Sequence, residues 1–454
     1  MDGANNMKPD GRKIVIIGGG FGGLSAARNL KDTDARVTLI DRKNYHLFQP
    51  LLYQVATGSL SAGDIASPLR AVLNKQKNTE VLLGEVIDID PDRRKVILKD
   101  GEIDYDDLII AAGSSHHYFG NDDWESFAPG LKTVEDAAEM RKRVLFAFEA
   151  AEREKDPERI KALLTFIVVG GGPTGVELAG ALAEIARETM KNDFRNINPG
   201  DARIILVEGL DRILSSYPEN LSRKAQDSLE KLGVIVETGC IVTKMDFRKV
   251  TVKKGEREED ILCETILWAA GVTTSPLSKV VAEKFHVERD RSGRIPVNAN
   301  LHLENKENIF VIGDMALTLG RNGNPLPGLA PVARQQGAYV ARLLKNRMKG
   351  KTTGPFRYRD FGNMATIGRS QAVADLHKIK LSGWIGWVIW LFVHLMYIVG
   401  YENRLLVLIQ WAWNYVTKGR SNRLILGRDI AEKIKKGIPE AEEHSDKPKH
   451  QKIF

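Results

Sequence analysis

Apolar and polar positions along the chain fall into strand–turn–helix units that recur. Residues 13–18 form a β-branched run that stays apolar after Lys13, the pattern of a parallel strand buried on both faces. A helix is predicted over 21–30, where Leu24, Ala27 and Leu30 recur at helical spacing. A second strand follows over 37–41. Residues 81–110 alternate between turn signals (Asp90-Pro91-Asp92, Lys99-Asp100-Gly101), which predicts a β-meander closing on Ile110-Ala-Ala-Gly113. A charged helical stretch is predicted from 134 to about 163. The order then repeats. An apolar strand over 166–169 leads into a helix reaching about 190, a polar insertion over 191–202 and a strand over 203–208. Strands near 234–237, 241–253 and 261–268 end on Trp268-Ala-Ala-Gly271. A repeat of this size predicts two similar α/β domains in tandem. A further apolar strand over 308–312 runs into Gly313-Asp314, and a helix starts near 329.

The chemistry sits at the turns. The first strand of each unit ends in a glycine fingerprint, Gly18-x-Gly20-x-x-Gly23 and Gly170-x-Gly172-x-x-Gly175. The first glycine permits the tight turn, the second lets the backbone approach a pyrophosphate, and the third lets the helix pack close to its strand. The helix N-terminus then faces the anion. Asp41 lies 18 residues after Gly23, where an acid accepts hydrogen bonds from ribose hydroxyls. Glu208 lies 33 residues after Gly175, a longer gap read as an extended helix plus loop. A carboxylate there repels a 2′-phosphate and favours NAD over NADP, with Arg212 nearby as the opposing feature. Two such sites in one chain move electrons between dinucleotides.

Composition narrows this further. The 454 residues suffice for two or three domains. Cys240 and Cys263 form no C-x-x-C pair, so neither a disulfide framework nor a zinc knuckle is expected, and both read as buried thiols. No redox cysteine pair is available for a disulfide reductase, and no metal site is expected. Residues 1–13 lack the apolar core of a secretory signal. The net charge of +7 is informative only by location. Residues 384–399 and 405–417 are two apolar runs that hold five of the seven Trp, and 404–428 carries five basic residues and no acidic ones. Trp and Lys/Arg beside apolar runs mark a bilayer interface. The first run is borderline for a span and the second too short. The preferred reading is a helical hairpin lying in one leaflet, with a single span through 381–400 as the alternative. The tail 431–454 is charged and expected to be disordered.

The order of these motifs resembles the two-dinucleotide flavoprotein oxidoreductases. Within them, His46-Leu-Phe-Gln49-Pro-Leu-Leu-Tyr53-Gln-Val-Ala-Thr57 and the Trp-rich end resemble the type II NADH:quinone dehydrogenases. The resemblance implies FAD on the first fingerprint, held by Gly18, Gly20, Gly23 and Asp41, with Gly113 closing over it. Asp314 would meet the ribityl chain, and the helix start near Ala333 the isoalloxazine. It implies NADH on Gly170, Gly172, Gly175 and Glu208, with Gly271 nearby. Glu177 would position the cofactor or help protonate quinone. The family's quinone motif Ala-Gln-x-Ala-x-Gln reads Ala330-Pro331-Val-Ala333-Arg-Gln335 here, so Pro331 replaces the first Gln and Gln335 remains for the quinone. Gln49 and Tyr53 would lie on the flavin side. The implied domains are FAD-binding over 12–125 and 290–355, NADH-binding over 160–285 and membrane-anchoring over 356–430. The implied reaction carries hydride from NADH to FAD and two electrons on to a membrane quinone, without proton pumping. The alternative is a membrane-tethered FAD/NADH redox sensor, or a reductase of a non-quinone acceptor. The expected partners are lipid, quinone and a second copy of the chain, without nucleic acid, at the cytoplasmic face of the cell membrane.

Overall fold

The computed structural model describes residues 11–417, 419 and 422–425. The tail 431–454 and the basic positions Lys418, Arg420 and Arg428 lie outside the described residues. The chain divides into two compact units.

The first unit gathers the chain up to Leu47, Ala66–Ser115 and Val272–Asp360. Its sheet runs in the order His302–Leu303, Lys306–Val311, Asp107–Ile110, Lys13–Ile17, Arg36–Asp41, Thr79–Leu83. Every pairing is parallel except that of the edge strand His302–Leu303. Ile14, Val15, Ile16 and Ile17 are buried, as their unbroken apolar run requires. A three-stranded meander, Val86–Asp90, Lys95–Leu98 and Gly101–Asp104, supplies Ile89 and Val96 to the core on one side. The meander expected over 81–110 is therefore too long. Thr79–Leu83 and Asp107–Ile110 belong to the parallel sheet, and alternation alone does not separate the two kinds of strand. The helices Phe21–Asn29 and Ala330–Met348 pack together. A Cβ on Gly337 would lie 2.1 Å from the Gly22 carbonyl oxygen, so glycine sets the closeness of that packing.

The second unit gathers Phe48–Ile65, His116–Gly271 and the chain from Phe361 onward. Its parallel sheet has the order Val234–Thr238, Arg203–Glu208, Thr165–Val169, Thr265–Trp268. The meander Cys240–Met245, Lys249–Lys254, Arg257–Leu262 packs Val250 and Val252 against Ile167, Ile205 and Ile266. The strand expected over 241–253 is a hairpin. The one expected over 261–268 is two strands, split because Arg257–Leu262 pairs in the meander and Thr265–Trp268 in the main sheet. The predicted helix over 134–163 breaks into Val134–Arg153, with a Thr133/Asp136 capping box, and Pro157–Leu163, started by its own proline. The second fingerprint helix is Pro173–Glu184, continued by a π-helical turn Ile185–Thr189.

The chain after Phe361 first forms the antiparallel strands Asn363–Ile367, Gln371–Asp375 and Lys380–Ser382, which the apolar pattern did not announce. The helices Gly383–Tyr397 and Tyr401–Thr417 follow, broken at Gly400 with φ +94°. Gly386 lets the first of them lie on the strands, since a Cβ there would sit 2.9 Å from the Ala372 carbonyl oxygen. Among the described residues, no helix is long and apolar enough to cross a membrane. The alternative of a single span through 381–400 is thereby corrected, because its helix stops at Tyr397 after 15 residues.

Candidate active site

The two glycine turns are built alike. Gly18 (φ +101°) donates its N–H to the Ile40 carbonyl at 2.8 Å, and Gly170 (φ +108°) donates to Val207 at 2.8 Å. A Cβ on Gly23 would lie 1.8 Å from the Gly18 oxygen, and one on Gly175 the same distance from the Gly170 oxygen. These two glycines are steric requirements of strand–helix packing. Gly20 and Gly172 differ: a Cβ at either meets nothing within 4 Å. Each is the N-cap of its helix and carries no side-chain cap, so open space lies at the helix N-terminus.

The acids close the same cradle in both units. Asp41 accepts the Gly19 N–H at 2.5 Å with one oxygen and the Lys43 N–H at 2.7 Å with the other. Glu208 accepts the Gly171 N–H at 2.5 Å and the Leu210 N–H at 2.8 Å. Each acid is thus fixed beside the middle residue of its fingerprint. Burial pushes the Asp41 carboxyl up, against the opposing pull of its two backbone donors. His46 continues the first cradle with Nδ1 at 3.0 Å from the Gly19 oxygen, and burial holds its basicity below the ordinary range. The longer gap to Glu208 is the π turn plus the loop that holds Pro199–Asp201.

Gly113 (φ +70°) sits in the first unit with open space at its Cβ position. Ser114 Oγ donates to Asp314 at 2.5 Å, which joins the Ala-Ala-Gly113 strand end to the Gly313-Asp314 turn. Ala333 is buried in the first turn of Ala330–Met348, its Cβ 3.4 Å from where a Gly313 side chain would start. Pro331 lies in that same turn, where a missing N–H costs no helical hydrogen bond. The Gln335 amide donates to the Arg359 carbonyl at 2.9 Å and accepts the Arg359 N–H at 3.0 Å, so both ends of it clamp backbone. The neighbouring Gln336 was missed in the sequence. It is buried, accepts the Gly313 N–H at 2.6 Å and donates to Thr318 at 2.9 Å. Its signal was a polar residue inside the apolar stripe Val332, Ala333, Gly337, Val340. Gln336→Leu is expected to destabilise the chain by about 1–3 kcal/mol, because the Gly313 N–H is left unpaired. Thermal melts and flavin release should fall together.

In the second unit Gly271 (φ +68°) ends the Thr265–Trp268 strand region. The same unit forms a partly open cavity lined by Glu177, Tyr53, Gln54, Trp387, Trp390 and Trp411 among others. Glu177 is 8% exposed, and its Oε1 accepts the Thr366 N–H at 3.3 Å. Burial pushes this carboxyl up to about 8, so it is protonated at neutral pH. Gln54 accepts the Trp411 indole N–H at 2.8 Å and donates to the Tyr53 hydroxyl at 2.9 Å. Gln54 lies inside the 46–57 motif but was not singled out there. Gln49 starts the short 3-10 turn Gln49–Leu51. The thiols of Cys240 and Cys263 are free and buried, and burial pushes Cys263 up to about 12, which leaves it inert.

Residues 12–337 match the pyridine nucleotide-disulphide oxidoreductase family, and residues 361–421 match the NDH2 C-terminal domain. The fold and the paired cradles define an oxidoreductase of the two-dinucleotide class. The type II NADH:quinone oxidoreductase Ndh of Mycobacterium tuberculosis is 44% identical over 427 residues, covering 92% of this chain and 91% of that one. Two solved structures of NDH2 from Plasmodium falciparum, one with RYL-552 and one with NADH, match with TM-scores of 0.85 and 0.83. Each is 21% identical and covers 92% of this chain and 100% of the other. The chain belongs to the type II NADH:quinone oxidoreductase family.

Proposed function

We propose that this protein oxidises NADH and reduces a membrane quinone by way of bound FAD, without pumping protons. The observation that carries the reading is the duplicated cradle, in which an acid is fixed to the middle fingerprint residue of each unit. The first cradle fits FAD: open space stands before Gly20 at a helix N-terminus, and Asp41 and Asp314 flank it as acceptors for hydroxyl groups. The second fits NADH, with Gly172 at the pyrophosphate and Glu208 at the adenine ribose. The FAD-binding domain is then 12–125 with 290–355, and the NADH-binding domain 160–285. When bound, FAD would supply the hydride acceptor and the two-electron relay between NADH and the quinone. The chain contributes orientation and a proton: Glu177, neutral and lining the cavity, is the acid for a quinone oxygen. Gln335 holds the Arg359 backbone in place. Steady-state NADH oxidation with ubiquinone and menaquinone analogues tests this. Flavin bleaching without turnover would replace the enzyme with a sensor.

Residues 356–430 form the membrane-anchoring region in this reading. Trp384, Ile385, Phe392, Leu405, Trp413 and Val416 are exposed large hydrophobics on the two C-terminal helices. They suit a protein lying on the cytoplasmic leaflet. Each side chain withdrawn from the bilayer removes about 1.5 kcal/mol or more. The triple variant Trp384→Glu, Phe392→Glu, Trp413→Glu is expected to bind anionic vesicles at least about 100-fold more weakly. Its turnover with a water-soluble quinone should stay within about twofold of wild type. Unchanged vesicle sedimentation would reject the anchor.

A further inference from the structure

The second unit carries an aromatic ring that stays exposed although it packs against His117, Trp268 and Gly271. Phe119 is 61% exposed, and its backbone is left-handed at φ +53°. Asn121 N donates to the Tyr118 carbonyl at 3.1 Å, closing a tight turn whose central residues are Phe119 and Gly120 (φ +89°). Asn or Gly fills the first central position of such a turn with less strain. Bulky residues persist in this region only when their surroundings over-determine them, most often where a ligand binds. The surroundings here are rigid. The Tyr118 hydroxyl donates to the Ala128 carbonyl at 2.8 Å, and its ring lies 5.0 Å from that of Trp268. The Trp268 indole N–H donates to the His117 carbonyl at 3.2 Å. The His117 ring meets the Phe119 ring edge-on at 4.8 Å.

The place of this turn in the sheet identifies its occupant. A dinucleotide on a parallel sheet lies across the carboxyl ends of the strands, at the switch point of strand order. Glu208 ends one strand and marks the adenine ribose, and Gly172 marks the pyrophosphate. The other half of the molecule must extend over the end of Thr265–Trp268, toward Gly271. There a Cβ on Gly271 would lie 2.8 Å from Phe119 Cζ and 3.0 Å from the His117 carbonyl oxygen. We infer that Phe119 is the stacking platform for the nicotinamide half of NADH, held in place by the Tyr118–Asn121 turn. The inference rests on the second cradle binding NADH.

The test measures NADH affinity from the kinetics of flavin reduction in the holoenzyme, with ADP-ribose, which lacks nicotinamide, as the competing probe. Phe119→Ala and Phe119→Gly are expected to weaken NADH about fivefold to tenfold, the range of an aromatic stacking contact. ADP-ribose binding and quinone KM should not change, and Phe119→Tyr should restore NADH binding. Phe119→Gly should also melt at a higher temperature than wild type, because glycine relieves the left-handed strain. Equal weakening of NADH and ADP-ribose would overturn the assignment, as would unchanged NADH affinity. A wild-type chain that binds ADP-ribose and NADH equally well removes the role of Phe119 alone. A wild-type chain that binds neither removes the NADH cradle itself.

Discussion

Gly172→Val is expected to leave FAD bound and the fold intact while NADH affinity falls at least about 100-fold. The backbone at Gly172 has φ −71°, which any residue adopts, and a Cβ there meets no protein atom within 4 Å. The side chain therefore costs the free chain little. It fills the space where a pyrophosphate would approach the helix N-terminus, and a ligand so displaced loses several charge-assisted hydrogen bonds. Each is worth about 1.5–3 kcal/mol, so two suffice for the stated loss. Reduction by dithionite and reoxidation by quinone should proceed as in wild type. The matched variant Gly20→Val is expected to purify without flavin. Gly175→Val serves as the contrast: its Cβ would lie 1.8 Å from the Gly170 oxygen, so it should fail to fold. If Gly172→Val bound NADH normally, the second turn would not be the donor's cradle.

Much of this architecture is legible in the sequence because parallel strands are buried on both faces. Ile14–Ile17 and Phe166–Val169 are unbroken apolar runs, and Gly23 and Gly175 are forced by backbone contact with the glycine that opens each fingerprint. Asp41 and Glu208 were found by their strand ends, even though a π turn and a loop lengthen the second interval. Edges of the meanders were not legible, since Thr79–Leu83 has the composition of a meander strand and only its partner distinguishes it. Gln335 and Gln336 show the limit most sharply. One step along a helix separates an amide that clamps the Arg359 backbone from one buried under Gly313, and a motif does not show which of the two packs inward. The cavity could not be read at all. Tyr53, Glu177, Thr366 and Trp411 meet through tertiary packing across most of the length of the chain.

The second large effect concerns Glu177 in that cavity. Glu177→Gln is expected to slow quinone reduction about 100-fold, the usual contribution of a positioned general acid, while flavin reduction by NADH changes less than about twofold. The wild-type quinone step should be flat below about pH 8 and fall about tenfold per unit above it, as the carboxyl loses its proton. The variant should show no such break. Tyr217 does not take over the titration, because burial first, and then Glu177 and Asp375, hold its phenol far above the ordinary range. Stability gives an independent readout of the same group. A glutamate raised from 4.5 to about 8 holds its proton more tightly in the folded chain than in the unfolded one. Folding stability therefore declines as pH rises from about 4.5 to about 8 and stays lowered above that. The full effect is on the order of 5 kcal/mol, at about 1.4 kcal/mol per unit. Glu177→Gln carries no charge to bury, so it should melt above wild type at pH 9, with the difference closing toward pH 5. A pH break that persists in the variant, or a melting difference independent of pH, would remove Glu177 as the acid. Thr366, whose N–H meets the Glu177 carboxyl, would then mark only a helix-to-strand contact.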